Sequence, residues 1–161
     1  MQPEIAPKAS IKKTIRVAVP IDRAFRVFVD RMGAWWPAQH HIGGVPFKDI
    51  LVEHRAGGRW YELSANGQEC QWGTVLVWDP PKRVTLSWHL QADWTVNFAP
   101  ERSSEVVVEF FEEGPEATRM EFEHRHLERH GEGFEKLRDS VDSGWGEILR
   151  NYEALATSEK E

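Results

Sequence analysis

The chain has 161 residues, 40% of them apolar and 11% aromatic, with eight tryptophans, so it carries enough apolar material for one core and is too short for two. Its formal charge of −6 excludes a strongly basic protein that binds nucleic acid through phosphates, and we expect no nucleic-acid partner. No apolar run of 18 residues is present, so no membrane contact is predicted, and the single cysteine, Cys70, leaves no disulfide within the chain.

The two ends of the chain are polar. Residues 1–10 lack the apolar stretch of about 7–15 residues that marks a secretory signal, so we expect a polar tail and a cytoplasmic location. Residues 157–161 are predicted to form a second polar tail. Without repeats or a low-complexity linker between them, residues 11–156 are predicted to form a single domain.

The N-terminal third predicts a strand, a helix and a covering segment. Residues 11–19 alternate between apolar and polar positions, which is typical of a half-buried strand. Pro20 suits the first turn of a helix, and Gly33 is predicted to end that helix. Its apolar positions recur at helical spacing: Ile21, Phe25, Phe28 and Met32. Residues 34–48 are rich in glycine, proline and aromatic residues, so we expect a short helix or covering loop.

The middle of the chain predicts strands joined by tight turns. The hairpin signal at Asn66-Gly67 is the strongest of these turns. Six strands are predicted, at residues 50–55, 59–63, 70–78, 83–90, 105–112 and 118–126. Together with residues 11–19 they predict a seven-stranded sheet, which is antiparallel because nearly all of its connections are short.

The last predicted element is a long amphipathic helix over residues 134–156. Its apolar stripe recurs in steps of three and four: Phe134, Leu137, Val141, Trp145, Ile148, Tyr152 and Leu155. At 1.5 Å per residue the helix would be about 35 Å long, enough to cross a sheet. An antiparallel sheet with one apolar face needs such a cover, so we predict an α+β fold in which this helix covers the sheet.

Several short stretches follow one another along the chain in a distinctive order: residues 15–28, Gly57-Gly58-Arg59-Trp60, Gly73-Thr74-Val75-Leu76, Asp79-Pro80-Pro81-Lys82-Arg83, Leu86-Ser87-Trp88, residues 120–124 and Gly144-Trp145. In this order they resemble the START/Bet v 1-like (SRPBCC) superfamily, and within it the activator of Hsp90 ATPase homologue 1-like domains, over residues 11–156. It implies the helix-grip fold, with a ligand cavity between the sheet and the C-terminal helix. The family includes co-chaperones, small-molecule carriers and a few enzymes, so the fold alone does not choose a function.

Strand parity and the helical stripe supply candidates for the wall of that cavity. The predicted ligand-binding residues are Trp60, Trp88, Phe110, Phe122, His124 and Trp145. Residues 35–47 are expected near the mouth of the cavity. Bulky rings can line an apolar cavity and indole N–H groups can hold a polar ligand group, whereas the alternative for each ring is ordinary core packing.

Two further features have open interpretations. Gly144 and Gly146 flank Trp145 in mid-helix, either to allow close packing on the sheet or cover, or to open the cavity mouth. Glu62 shares the parity of Trp60, so it could act as a general acid or base with His124. The alternative is that Glu62 is exposed and pairs with Arg59 or a lysine.

The seven histidines raise the possibility of a metal site. His124 and His126 have the same strand parity, His130 follows them, and His40-His41 lie in the covering segment. A three-histidine zinc site needs such a group, yet no recognised metal-binding spacing is present. Hydrogen-bonded histidines are the favoured interpretation, and we predict neither a metal site nor a cofactor.

Three functions are compatible with these features. The first is the binding of a small hydrophobic or amphipathic molecule. The second is an enzyme of the cyclase, dehydratase or hydrolase type that uses Glu62 and His124. The third is a protein-interaction role, as in Hsp90 co-chaperones, with a protein partner or a homodimer, although this length leaves no room for the additional N-terminal domain of those co-chaperones.

Overall fold

The computed structural model describes residues 10–37, 40, 45–91 and 95–158. In that part of the chain the strands are β1 (Ile11–Val17), β2 (Phe47–Val52), β3 (Arg59–Ser64), β4 (Glu69–Asp79), β5 (Arg83–Trp88), β6 (Ser104–Gly114) and β7 (Ala117–Arg125). The α-helices are α1 (Ile21–Asp30), α2 (Met32–Trp35) and α3 (Phe134–Ser158). Short 3-10 helices lie at Pro100–Arg102 and Leu127–His130.

The seven strands form one antiparallel sheet in the order β1-β7-β6-β5-β4-β3-β2. Six of them form a meander, because short connections favour antiparallel neighbours. The N-terminal strand closes the other edge, where Ile11 pairs with His124 and Val17 pairs with Thr118. The predicted α+β helix-grip architecture is confirmed.

Helix α3 lies against one face of this sheet along its apolar stripe. The buried residues of the helix are Leu137, Val141, Trp145, Ile148, Leu149, Tyr152 and Ala156. The Tyr152 hydroxyl donates a hydrogen bond to the carbonyl oxygen of Ala24, 2.8 Å away, and so joins α3 to α1. None of the described helices has both the length and the apolar character needed to cross a bilayer.

Several predicted boundaries differ from the structure: the strand predicted at residues 50–55 is β2 at Phe47–Val52, and those predicted at residues 11–19 and 83–90 end at Val17 and Trp88. Two further boundaries, those of α1 and β7, are wrong for reasons that the backbone shows. Helix α1 ends at Asp30, and Gly33 lies inside α2 instead of ending the first helix. A Cβ atom at Gly33 would lie 2.8 Å from the backbone nitrogen of Ile50, so the glycine permits the close approach of α2 to β2. Strand β7 ends at Arg125, because His126 has a φ of 65° and directs the chain into the following 3-10 helix.

The bend of the sheet is concentrated at β4. Its register against β3 shifts after Trp60, and its register against β5 shifts between Val75 and Val77. Between these points a Cβ atom at Gly73 would overlap the carbonyl oxygen of Ser87. A glycine inside a strand permits such an approach of two backbones, so Gly73 allows β4 to lie tightly on β5 where the sheet curves.

Candidate functional site

Tryptophan rings cover the concave face of the sheet where it meets α3. We call this group the aromatic wall; it consists of Trp36, Trp60, Trp72, Trp88, Phe122, His124 and Trp145. Its rings contact one another in series. The centroid distances are 5.5 Å for Trp60–Trp72, 5.8 Å for Trp60–Trp88, 6.0 Å for Trp88–Trp145 and 4.6 Å for Phe122–Trp145. Four strands, one helix and the residue after α2 therefore contribute to one continuous aromatic surface.

Five of the six predicted ligand-binding residues belong to this wall. The sixth, Phe110, packs in a neighbouring group, with its ring 5.4 Å from Phe25 and 6.1 Å from Phe28. The residues that sequence analysis missed are Trp36 and Trp72. Trp36 lies in an irregular segment that follows neither the helical nor the strand period. Trp72 occupies the bulge of β4, where the alternation of the strand changes sides.

Each indole N–H group of the wall already donates to an acceptor within the protein. The acceptors are Met32 Sδ for Trp60 at 3.2 Å, Glu62 Oε1 for Trp72 at 3.1 Å, the Leu90 carbonyl for Trp88 at 3.0 Å, the His40 carbonyl for Trp36 at 2.6 Å and His124 Nδ1 for Trp145 at 3.1 Å. A ligand group that binds one of these N–H groups must therefore either replace the present acceptor or insert between the N–H group and that acceptor.

A series of buried hydrogen bonds leads from the wall along the concave face of the sheet and past the end of β7; we call it the histidine relay. Trp145 Nε1 lies 3.1 Å from His124 Nδ1, and His124 Nε2 lies 2.7 Å from Ser104 Oγ. Ser104 Oγ also lies 2.7 Å from His130 Nε2. His130 Nδ1 lies 3.1 Å from Gln91 Oε1, where the relay ends.

The donors and acceptors of the relay have only one consistent assignment for neutral histidines. An indole N–H can only donate, so His124 Nδ1 accepts and His124 Nε2 carries the proton. That proton is donated to Ser104, whose own hydroxyl donates to His130 Nε2. His130 then donates from Nδ1 to the side-chain amide oxygen Oε1 of Gln91. Every bond of the relay therefore points away from Trp145.

Both histidines of the relay are held neutral. Burial lowers the pKa of His124 to about 3, with a smaller contribution from His130. Burial lowers the pKa of His130 to about 4, and the charges of Arg102 and His89 add to that effect. A proton on His124 Nδ1 would also break its bond to Trp145, since the indole offers no acceptor there. At neutral pH the relay therefore carries no net charge.

Glu62 is buried on the concave side together with Trp60. The inward residues of β3, namely Trp60, Glu62 and Ser64, are 0% exposed. Arg59 points the other way, with its guanidinium 2.9 Å from Glu53 and 2.7 Å from Glu69. The interpretation of Glu62 as an exposed partner of Arg59 is therefore wrong, because the alternation of β3 separates the two side chains.

Glu62 and His124 lie on strands that are far apart in the sheet. Strands β4, β5 and β6 separate β3 from β7. Glu62 accepts a bond from Trp72, while both ring nitrogens of His124 are engaged by Trp145 and Ser104. The two groups do not form a hydrogen-bonded acid–base pair, so any joint chemistry would require a molecule between them.

The histidines are distributed differently from the expectation based on strand parity. His126 leaves the sheet in a left-handed conformation, so it does not share the side of His124. His130 reaches His124 only through Ser104, and His41 lies outside the described residues. Within the described ranges, no three His, Cys, Asp or Glu side chains are grouped in a way that could hold a metal ion.

The two glycines beside Trp145 are not there for close packing on the described part of the protein. A Cβ atom at Gly144 would meet no described atom within 4 Å, and one at Gly146 would lie 3.6 Å from the side chain of Arg150. Few side chains therefore pack against α3 on either side of Trp145. The other interpretation, that the two glycines leave an opening beside this ring, remains a proposal.

Replacement of Gly144 by alanine should raise the free energy of unfolding by about 1 kcal/mol, because alanine is the better helix former and its methyl group finds open space. Urea denaturation measures the change. Gly133→Ala is the matched control: it also has open space, but its φ of 89° should make alanine destabilising by about 1–2 kcal/mol. A destabilised Gly144→Ala variant would show that Gly144 has a packing role.

A sheet wrapped around one long helix, with aromatic side chains between them, defines the helix-grip class of proteins. Residues 18–157 match the family model described as activator of Hsp90 ATPase homolog 1-like protein. The chain belongs to this family.

Solved structures of similar proteins extend the comparison. An anthrahydroquino-gamma-pyrone synthase, Txn09, complexed with SUM, is 32% identical; the match covers 92% of this chain and 98% of that chain, with a TM-score of 0.65. CalC from Micromonospora echinospora, a self-sacrificing resistance protein, is 27% identical over 95% of this chain and 97% of that one, with a TM-score of 0.71. The protein NE0264 from Nitrosomonas europaea is 20% identical over 98% of this chain and 100% of that one, with a TM-score of 0.67. At this identity the match shows the shared fold alone. A comparison with curated proteins gives no match.

Proposed function

We propose that this protein binds a small apolar or amphipathic molecule between the sheet and α3. The observation that carries the proposal is the aromatic wall, because it places five indole rings, Phe122 and the neutral His124 on one surface. Rings of this kind bury large areas and bind flat apolar molecules through offset or edge contacts. A core that needed only to be filled could use aliphatic side chains instead.

Trp36 is the wall residue that a ligand would replace. It comes from neither the sheet nor α3, yet its ring lies 4.9 Å from Trp72 and 5.5 Å from Trp145. Its contacts therefore occupy the position that a flat molecule would take against β4 and α3. Phe110, in the group of rings next to the wall, would bound one end of the site.

The comparisons support the binding of an aromatic molecule. The 32% identical Txn09 is named as an anthrahydroquino-gamma-pyrone synthase, and its match extends over nearly the whole of both chains. If this chain uses the same space, its ligand is a flat molecule of several rings. The aromatic wall has the chemistry to bind such a molecule.

An amphipathic fluorophore, 1-anilinonaphthalene-8-sulfonate, should bind with a Kd in the micromolar range, about −8 kcal/mol, and should quench tryptophan fluorescence. Trp88→Phe keeps an aromatic ring in the wall but should reduce the quenching and weaken binding several-fold. Trp78→Phe is the control, since Trp78 stacks on His54, 4.8 Å away, outside the wall. Absence of binding across a panel of apolar and amphipathic fluorophores, or equal effects of the two variants, would contradict the proposal.

A second candidate function is catalysis of the cyclase, dehydratase or hydrolase type, favoured by the synthase named above and by the buried polar groups Glu62 and His124. These groups would act on a bound molecule from opposite sides of the wall. Glu62→Gln and His124→Gln should then abolish turnover of a bound substrate while binding persists. Loss of binding together with turnover would assign both residues to binding alone.

A protein-interaction role has less support in the described residues. A docking surface for a chaperone, another protein or a second copy of the chain would present a large exposed apolar patch. The large apolar side chains exposed in the described part of the chain are Leu76, Phe98 and Phe111, which lie on β4, a loop and β6.

A further inference from the structure

The histidine relay ends at the aromatic wall with a donor facing an acceptor. Trp145 Nε1 can only donate, and His124 Nδ1 can only accept while His124 Nε2 donates to Ser104. At the next position in the relay, the Ser104 hydroxyl lies between a donor and an acceptor. Its oxygen accepts from His124 Nε2, and its hydrogen is donated to His130 Nε2. A hydroxyl is the group that performs both tasks with one atom.

We propose that the ligand is a hydroxylated aromatic molecule, a phenol or naphthol, whose hydroxyl enters the relay between Trp145 Nε1 and His124 Nδ1. This inference rests on the proposed function and specifies the ligand class for that site. The ligand oxygen accepts from Trp145, and the ligand hydrogen is donated to His124. The relay then has one more link and every bond keeps its direction.

The hydroxyl itself requires only a small separation of the two nitrogens, while the aromatic part of the ligand would take the place of the Trp36 ring, 5.5 Å from Trp145. The two nitrogens are 3.1 Å apart now, and two hydrogen bonds to one oxygen would separate them by about 1.5 Å more. Trp145 lies between Gly144 and Gly146, which have no side chains to hold this turn of α3 in place. Phe122 and Trp88, 4.6 Å and 6.0 Å from Trp145, lie beside the insertion point, where they would contact the aromatic part of the ligand.

The rest of the relay gives the site its selectivity. Ser104 and His130 hold the proton on His124 Nε2, so His124 Nδ1 must receive a hydrogen. A methyl ether in the same place could accept from Trp145 but would leave His124 Nδ1 buried and unpaired. Such a loss corresponds to about a ten- to hundred-fold weaker Kd. If the compounds simply partitioned into an apolar site, the ether would bind more tightly than the naphthol. Partition and insertion into the relay therefore predict opposite orders of affinity.

The test compares 2-naphthol with 2-methoxynaphthalene by calorimetry and tryptophan quenching on the full chain. We expect 2-naphthol to bind at least ten-fold more tightly. Equal binding, or tighter binding of the ether, would overturn this inference while the proposed binding function stands. If neither compound binds, the inference fails, and the panel of apolar and amphipathic fluorophores decides separately whether the proposed binding function fails as well.

Two serine variants test the role of the relay. Ser104→Ala removes the acceptor of His124 Nε2, so the ring can move its proton to Nδ1 and donate to an ether; the preference for 2-naphthol should fall to within about three-fold. Ser87→Ala is the matched control, because Ser87 is also buried and lies 2.8 Å from a histidine, His89, but on the opposite face of the sheet. Its preference for 2-naphthol should equal that of the unmodified protein.

Long-range ¹H–¹⁵N spectra of the histidine rings report the tautomer directly. They should show His124 Nδ1 without a proton in the free protein and in the 2-naphthol complex. A proton on His124 Nδ1 in either state would overturn the inference. The unmodified protein supplies both the affinity ratio and these spectra, so the result does not depend on the folding of Ser104→Ala.

Discussion

Replacement of Phe28 by alanine is expected to lower the free energy of unfolding by about 3–5 kcal/mol. Phe28 is 1% exposed, and its ring lies 5.1 Å from Trp35, 5.6 Å from Tyr152 and 6.1 Å from Phe110. It therefore joins α1, α2, α3 and β6, and these large rings cannot collapse easily into the space that it leaves. Urea denaturation at neutral pH measures the loss.

Phe111→Ala is the matched control on the same sheet. Phe111 follows Phe110 in β6 but is 39% exposed, with the Arg119 guanidinium 4.6 Å from its ring centroid. Its removal should cost less than about 1 kcal/mol. If Phe28→Ala cost less than about 0.5 kcal/mol, Phe28 would not be a core residue and the packing of α1 described above would be wrong.

The stability of the protein should fall on mild acidification, by about 4 kcal/mol between pH 7 and pH 5 from His124 and His130 together. The unfolded chain protonates its histidines near pH 6.5, whereas the folded protein holds the pKa of His124 at about 3 and that of His130 at about 4. Their contribution is therefore complete above about pH 6.5 and is lost as the pH falls towards 3–4.

The His130→Gln variant tests this pH dependence. Glutamine can accept from Ser104 and donate towards Gln91, as His130 does, but it does not titrate. Between pH 6.5 and pH 4.5 the slope of unfolding free energy against pH should decrease by up to about 1.4 kcal/mol per pH unit. An unchanged slope in His130→Gln would show that His130 is not held neutral.

Residues that follow a regular period were predicted well. The stripe of α3 is buried from Leu137 to Tyr152, and the alternation of β7 places Phe122 and His124 inside. Periodicity depends only on the local geometry of a helix or strand, so it can be read from one segment alone. The family resemblance then supplied the curvature of the sheet and the position of the helix inside it.

The aromatic wall was predicted in part, and the errors occur where the regular alternation of a strand ends. Trp72 escaped because a bulge changes the parity of β4; its only sequence signal is the neighbouring Gly73. His126 was assigned to the wrong side because its φ of 65° ends β7 one residue early. The burial of Glu62 was left open because alternation gives the side of a strand but not what covers it.

Composition and periodicity in the sequence therefore determined the elements, the α+β architecture and most members of the aromatic wall. Only the tertiary structure decided the histidine relay, since its members come from five separate parts of the chain: Gln91, Ser104, His124, His130 and Trp145. The physical reason is that a hydrogen bond depends on distances of about 3 Å between particular atoms. Such distances are set by strand register and helix position, which no single segment of sequence specifies.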